Sequence, residues 1–307
     1  MNRFKRYYQE MLASVTLLDV EETYDLYFTR YLGWLFTKFA AKLGMTPYQV
    51  SFTGMFLGVV GGALLYFQDD LWIMVMAAVL IICSGILDSA DGQLARYTNQ
   101  VTELGRYIDG INDGLVFWAC YLGGSLYLVA EYGWWILLLT GLGIHCLGLK
   151  AALADFYRME YKYYVGPLDS ERIPLMEEIE EYHAKSIVHK WLHQFTVNYT
   201  AKQHRLTFRD RKLRHAFDQL RGYEEFREMY RQKIYRMLTW WALVGGINIH
   251  RILIIVTALL GHFEVLLLFS ILGIIPMLIL ERVQRRIDQE ILTHFQEKGL
   301  IKANAPS

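Results

Sequence analysis

The chain has 307 residues, 54% of them hydrophobic and 15% aromatic, and its 31 Lys and Arg balance 31 Asp and Glu to a net charge of zero. Zero net charge gives no bulk electrostatic case for nucleic acid as a partner. The apolar residues collect in blocks of about 20, the length a helix needs to cross a hydrocarbon core of ~30 Å, so a water-soluble globule is excluded as the leading class. The three cysteines, Cys83, Cys120 and Cys146, fall inside apolar blocks without paired or metal-ligand spacing, and they are expected to be buried thiols. The N-terminus lacks the apolar core and cleavage site of a removed signal peptide.

In chain order, residues 1–46 form the first expected segment. Tyr24, Leu26, Tyr31, Trp34, Leu35 and Phe39 recur at helical intervals, with Arg30, Lys38 and Lys42 between them, the pattern of an amphipathic helix in a membrane interface. Six spans are expected at 47–67, 72–96, 105–130, 133–156, 237–260 and 263–281. The first four lie in 47–156 and the last two in 237–285. A polar, helix-rich insert over 157–236 separates them, and a tail follows over 286–307. The predicted fold is an all-α, multi-pass membrane protein with six transmembrane helices, an interfacial N-terminal helix and a helical cytoplasmic insert. Within the insert His189 and His193 share a helix face, but no catalytic Glu–His signature surrounds them, and a solvated face is expected.

The links "QDD", "EYG" and "GHFE" carry no Lys or Arg, whereas the N-terminal segment, the insert and the tail on the opposite side do, and Arg96 and Arg106 flank the 97–104 link. By the positive-inside rule both termini and the insert are expected in the cytoplasm.

One stretch contradicts its surroundings. "LDSADGQLARYTNQVTELGRYIDGINDG", residues 87–114, places Asp88, Asp91, Asp109 and Asp113 at the expected cytoplasmic mouth of spans 2 and 3. Ionisable groups at membrane depth are costly and point to function. Asp88 and Asp91 are three apart, Asp109 and Asp113 four apart, so each pair shares a helix face. The link between them lets the two helices return antiparallel and bring the pairs face to face. Four carboxylates in one pocket need positive compensation. Oxygen ligands without His or Cys point to Mg²⁺ or Mn²⁺, and two such ions would clamp a diphosphate. Gly92, Ala95 and Gly105 leave room for a close ligand, and Arg96 can fork onto a phosphate. Spacing alone leaves a second reading open: carboxylates capping helix ends, with Arg96 and Arg106 as ion-pair partners.

The run D-x2-D-G-x2-A-R-x8-G-x3-D-x3-D, filled by Asp88, Asp91, Gly92, Ala95, Arg96, Gly105, Asp109 and Asp113, resembles the signature of the CDP-alcohol phosphotransferase (CDP-alcohol phosphatidyltransferase) family. The resemblance covers most of the chain except 157–236. It implies cleavage of the diphosphate of a CDP-linked alcohol, transfer of the phosphoalcohol part to an acceptor hydroxyl and release of CMP. It implies that Asp88, Asp91 and Asp109 bind two metal ions, and that Asp113 helps at the metals and acts as general base. Gly92, Ala95, Arg96 and Gly105 would frame the CDP. Thr46, Pro47 and Ser51 in "MTPYQVS" are similar to the family's T-P-N element beside the nucleotide, with Tyr48 in place of the usual Asn; Thr46 and Pro47 also read as a helix cap and first turn. A homodimer is the family's usual state.

Two more cations lie in apolar blocks. Lys150 falls in the inner half of span 4 and Arg251 near the middle of span 5, with Asn248 on its face. Both could hold an anionic acceptor; the alternatives are that Lys150 snorkels to the interface and that Arg251 pairs with an acidic residue or a carbonyl in the bundle, with function favoured for Arg251. The favoured function is transfer of a phosphatidyl group from CDP-diacylglycerol to a polar alcohol such as a polyol or inositol phosphate. The alternatives are a CDP-amino-alcohol enzyme with a lipid acceptor such as diacylglycerol, and an inactive membrane scaffold, against which the intact motif argues.

Overall fold

Apolar stretches bounded by strong caps dictate helices from end to end. In a computed structural model, which describes residues 3–15, 17–168, 170, 172–179 and 187–301, every regular element is helical. The helices are α1 (Arg3–Ala13), α2 (Arg30–Lys42), α3 (Pro47–Leu64), α4 (Leu71–Tyr97), α5 (Glu103–Tyr132), α6 (Ile136–Val165), α7 (Ile187–Leu206), α8 (Arg211–Leu220), α9 (Glu224–Gly245), α10 (Ile247–Leu259), α11 (Phe263–Leu272) and α12 (Ile274–Glu297). The chain forms two compact units, one of residues 1–146 and 248–271, the other of residues 147–247 and 272–307.

The starts of the site-bearing helices are set locally. Thr46 and Gln49 form a reciprocal capping box at α3, with Pro47 in the first turn. Asp70 accepts from the Trp72 and Ile73 amides at 2.9 and 3.1 Å and starts α4. Thr102 accepts from the Gly105 amide at 3.0 Å and starts α5. Gly133 closes α5 at φ +76°, a conformation that favours glycine.

Among the described residues five stretches are long and apolar enough to cross a membrane: Leu71–Tyr97, Ile108–Tyr132, Ile136–Val165, Glu224–Leu259 and Phe263–Glu297. Helix α3, at the first of the six expected spans, is not among them, because it opens on Pro47, Tyr48 and Gln49 and spends four positions on glycine. Those glycines serve packing. A Cβ on Gly58 would stand 2.5 Å from the Ser84 Oγ of α4, and one on Gly62 2.6 Å from the Cys120 amide of α5. A Cβ on Gly123 would stand 2.0 Å from the Gly62 carbonyl. Small residues let α3 press its backbone against α4 and α5, the usual device where packing rather than the hydrophobic effect holds helices together.

The elements depart from the sequence boundaries in three places. The N-terminal segment is two helices rather than one, with a π-helical turn over Asp25–Thr29 leading into α2. In α2 Trp34 is buried, while Leu35, Phe39 and Leu43 form an exposed stripe. The fifth and sixth expected spans are each broken, at Gly246 and Gly273, and α12 runs on to Glu297. Helix α6 continues to Val165 and α9 begins at Glu224, so both ends of the polar insert are extensions of spanning helices, with α7 and α8 between them. The helical run expected from Leu175 to Phe195 lies partly outside the described residues.

The second unit is centred on buried charge. Arg209, just after α7, grips Asp288 of α12 through Nε and Nη2, both at 2.7 Å, and reaches Glu160 of α6 at 3.5 Å. Arg214 of α8 donates to the other Glu160 oxygen at 3.0 Å. The rings of Tyr157, Phe217 and Tyr230 surround the Arg209 guanidinium at 5.0 to 5.7 Å. Removing one partner of such a cluster leaves an uncompensated buried charge. Arg209→Ala should therefore destabilise the protein by about 3–5 kcal/mol, measured by chemical unfolding in detergent. A loss no larger than that of a surface Arg→Ala control would show that the cluster does not hold this unit together.

Candidate active site

The site grows out of the last turns of α4 and the first turns of α5. The connection is tight: Asn99 sits at φ +54°, a conformation Asn tolerates better than most residues, and the Gln100 amide returns to the Ala95 carbonyl at 2.7 Å. The two helices come back antiparallel and bring their acidic faces together.

Three of the four aspartates meet. Asp88, Asp91 and Asp109 each offer a carboxylate oxygen within 4.8 Å of the others. Asp109 Oδ1 is buried without a hydrogen-bond partner. Three carboxylates at this separation repel one another, and an orphaned buried oxygen among them is a vacant lone pair. An all-oxygen, all-anionic donor set with an unsatisfied member fits a hard divalent cation of the Mg²⁺ or Mn²⁺ class.

Asp113 stands one turn further along α5 and takes a different partner. Its Oδ1 lies 3.5 Å from Nη2 of Arg251 in α10. Arg251 is only 4% exposed, and its Nε has no partner, so the guanidinium keeps donor capacity. Room for it comes from Gly85, one turn before Asp88, where a Cβ would fall 2.4 Å from Arg251 Nη1. Asn248, one turn before Arg251, donates to Asp25 at 2.9 Å, and Thr29 donates to the other Asp25 oxygen at 2.7 Å.

The remaining expected residues divide. Ser51 of α3 is buried, accepts from Asn112 Nδ2 at 2.8 Å and contacts Asp91, which brings the start of α3 to the acidic cluster. Thr46 and Pro47 form the helix start, so their capping role is met in full. Tyr48 donates to or accepts from the Thr102 hydroxyl at 2.8 Å, a tie from α3 to the cap of α5. Gly105 supplies the capped amide of α5, and Ala95 the carbonyl of the α4–α5 turn. Gly92 leaves ordinary contact distance, 3.5 Å, between a Cβ position and Arg96 Nη1. Arg96 itself donates through Nε to the Ser14 carbonyl at 2.9 Å, so one edge of its fork is committed to the N-terminal segment. Lys150 belongs to the second unit and is fully buried in protein, which leaves no path for snorkelling; its carbonyl abuts Gly245.

Gly85, Asn112 and Asp25 were not singled out from the sequence. Asn112 sits between two motif aspartates and was visible there, but its direction toward Ser51 was not. Gly85 and Asp25 acquire meaning only from Arg251 and Asn248, more than 160 positions later in the chain.

Among the described residues, the all-helical architecture, the five stretches apolar enough to cross a membrane and the acidic cluster between two of the helices make up the class of a multi-pass membrane protein with an acidic centre where two such stretches meet. The comparison with known families makes that class specific. Residues 44–169 match the family model of CDP-alcohol phosphatidyltransferase, and the whole acidic motif lies inside the match. The chain is also 25% identical over 122 residues to an archaetidylinositol phosphate synthase of Pyrococcus horikoshii, a match covering 38% of this chain and 60% of that protein. It is 27% identical over 111 residues to an uncharacterized protein of Aquifex aeolicus, covering 36% of this chain and 44% of that one. The matches thus span about half the length of these relatives, and residues beyond 169 lie outside the family model.

Removing one donor from the acidic cluster should weaken cation binding. Asp109→Asn should bind Mn²⁺ about tenfold more weakly than the parent protein, since a charged ligand interaction is worth ~1.5–3 kcal/mol. Electron paramagnetic resonance titration of purified protein reads this directly, and an unchanged affinity would remove Asp109 from the ligand set.

Proposed function

We propose that this protein transfers a phosphatidyl group from CDP-diacylglycerol to the hydroxyl of a polar, anionic alcohol of the polyol phosphate or inositol phosphate class, releasing CMP. The reading rests on one observation above the others: the Asp88, Asp91 and Asp109 cluster adjoins Asp113, and Asp113 is backed by a buried arginine. The family match over the same residues supports the reaction type, and the likeness to an archaetidylinositol phosphate synthase supports a phosphorylated polyol as acceptor.

In this reading Asp88, Asp91 and Asp109 hold two divalent cations, Mg²⁺ or Mn²⁺. When bound, these ions neutralise the diphosphate and stabilise charge on the attacking and leaving oxygens. The chain's own groups do the rest. The opening turn of α3, with Ser51, and the Gly92–Arg96 turn of α4 frame the CDP portion. Asp113 takes the proton from the acceptor hydroxyl. The freed oxygen forms a bond to the phosphatidyl phosphorus, and the bond from that phosphorus to the bridging oxygen breaks, so CMP leaves with that oxygen. Arg251 orients Asp113 and offers its spare donors to the acceptor's phosphate. The absence of Lys and Arg from the links opposite the motif supports a cytoplasmic site, where soluble CMP leaves into water while acyl chains stay in the bilayer.

Purified protein with Mg²⁺, CDP-diacylglycerol and a panel of acceptors should release CMP. Asp113→Asn should slow that release by about a hundredfold or more; a wild-type rate would exclude Asp113 as the base. Arg251→Ala should cost about tenfold more with a phosphorylated acceptor than with its unphosphorylated counterpart, because a lost charged hydrogen bond is worth ~1.5–3 kcal/mol. Equal losses would leave Arg251 as a support for Asp113 alone.

A further inference from the structure

Helix α7 crosses α6 where a membrane surface should be. Helix α6 begins just after the exposed pair Trp134 and Trp135, and about 20 residues of helix cross a bilayer, so its apolar passage ends near Asp155. A second mark agrees: Trp240 of α9 is exposed beside the buried Trp241, which stacks on Tyr157 of α6 at 4.9 Å. Interfacial aromatics of this kind sit at the headgroup level.

The hydrogen bonds and ring contacts from α7 to α6 fall at this depth. Tyr199 donates to Asp155 at 3.4 Å, and Gln203 donates to Asp155 and to the Ala152 carbonyl at 3.0 and 3.2 Å. The His204 ring faces Phe156 at 6.0 Å, and Thr207 meets the Tyr157 hydroxyl at 2.9 Å. From Tyr199 to Thr207 the chain advances about 12 Å along α7. The partners on α6 stay between 152 and 157, within about 8 Å, and do not advance in step. The helices therefore cross steeply. Because spanning helices are tilted only about 20° on average, α7 lies close to the membrane plane.

The flanks of α7 match that placement. Lys202 reaches up α6, its Nζ 4.0 Å from where a Cβ would sit on Gly148, about 10 Å deeper in the bilayer than Asp155. Trp191 and Phe195 share the Lys202 flank, eleven and seven residues earlier, with rings stacked at 6.1 Å and exposures of 59% and 39%. Burial lowers the Lys202 ammonium from its ordinary range. Lys190, Gln194, Asn198 and Arg205 occupy the neighbouring exposed flank. The whole helix carries Lys190, Lys202 and Arg205 and no acidic residue.

We propose that α7 is an interfacial helix, seated on the leaflet in which α6 ends, with Trp191 and Phe195 in the upper acyl region and Lys190 and Arg205 on anionic lipid headgroups. Aromatic anchors beside a purely basic polar flank are the physical signature of such a helix, and each cation near an anionic surface adds attraction. The polar insert thereby acquires a fixed attachment to the bilayer, independent of the transfer reaction.

The full-length protein carrying Asn198→Cys, labelled with an environment-sensitive fluorophore and corrected with labelled parent protein, tests this in vesicles containing one-third phosphatidylglycerol. Lipids bearing a nitroxide near the top of the acyl chain should quench the probe roughly twofold, and more than nitroxides near the chain end, while aqueous iodide quenches little. Adding Trp191→Ser and Phe195→Ser should abolish the nitroxide effect and restore iodide quenching, with Mn²⁺ binding by the acidic cluster retained as proof of folding. Iodide quenching of the single variant as strong as in water would overturn the proposal. Resistance to both quenchers would also overturn it, and would mark a face covered by protein, such as a second copy. An equal nitroxide response in purely zwitterionic vesicles would overturn the headgroup contact. No readout depends on catalysis, so failure here is separable from failure of the proposed reaction.

Discussion

Mutual repulsion among Asp88, Asp91 and Asp109 is the constraint on which the first unit is built. Three carboxylate oxygens within 4.8 Å, between helices otherwise made for lipid, are tolerable only if the surroundings supply positive charge and hold the groups still. The orphaned Asp109 oxygen shows that hydrogen bonding within the protein does not meet the need. A divalent cation held there would.

Several otherwise unrelated features serve that cluster. The glycine face of α3 lets α4 and α5 close around one helix, which brings Ser51 to Asp91 and Asn112 to Ser51. Gly85 omits a side chain where the Arg251 guanidinium must pass, and the passage places a permanent cation beside Asp113. Gln93 and Arg96, on the turn between the acidic pairs, hold Ser14 and the Arg30 carbonyl, which ties the N-terminal segment to the same helix end. The second unit answers a similar problem differently: Arg209 and Arg214 neutralise Glu160 and Asp288 inside the protein, so that cluster is a structural joint.

Much of this was legible in the residues. The apolar blocks announced helices at membrane length, and the Thr46–Pro47 cap was readable because a cap acts within three or four residues. The aspartate pairs were readable for the same reason, since helical spacing puts i and i+3 or i+4 on one face. The limits were equally physical. The α9–α10 and α11–α12 breaks at Gly246 and Gly273 fall in continuous apolar sequence, where hydropathy carries no signal of a kink. Helix α3 carries a span's length with too many small and polar residues to register as one. The insert read as soluble because polarity was averaged over its length, whereas α7 divides its aromatic and basic residues between flanks, and only its crossing with α6 shows which flank faces the bilayer.

The sequence by itself determined the helical class, the motif that locates the acidic site and the reaction type that the family match supports, because each depends on neighbours a few residues apart. Only the tertiary structure decided that three of the four aspartates converge while Asp113 pairs with Arg251. It also decided that Gly85 exists to admit that arginine, and that α7 lies across α6 at its membrane boundary. Those relations join residues from about 20 to about 170 positions apart, and nothing local in the chain encodes which distant side chain will arrive.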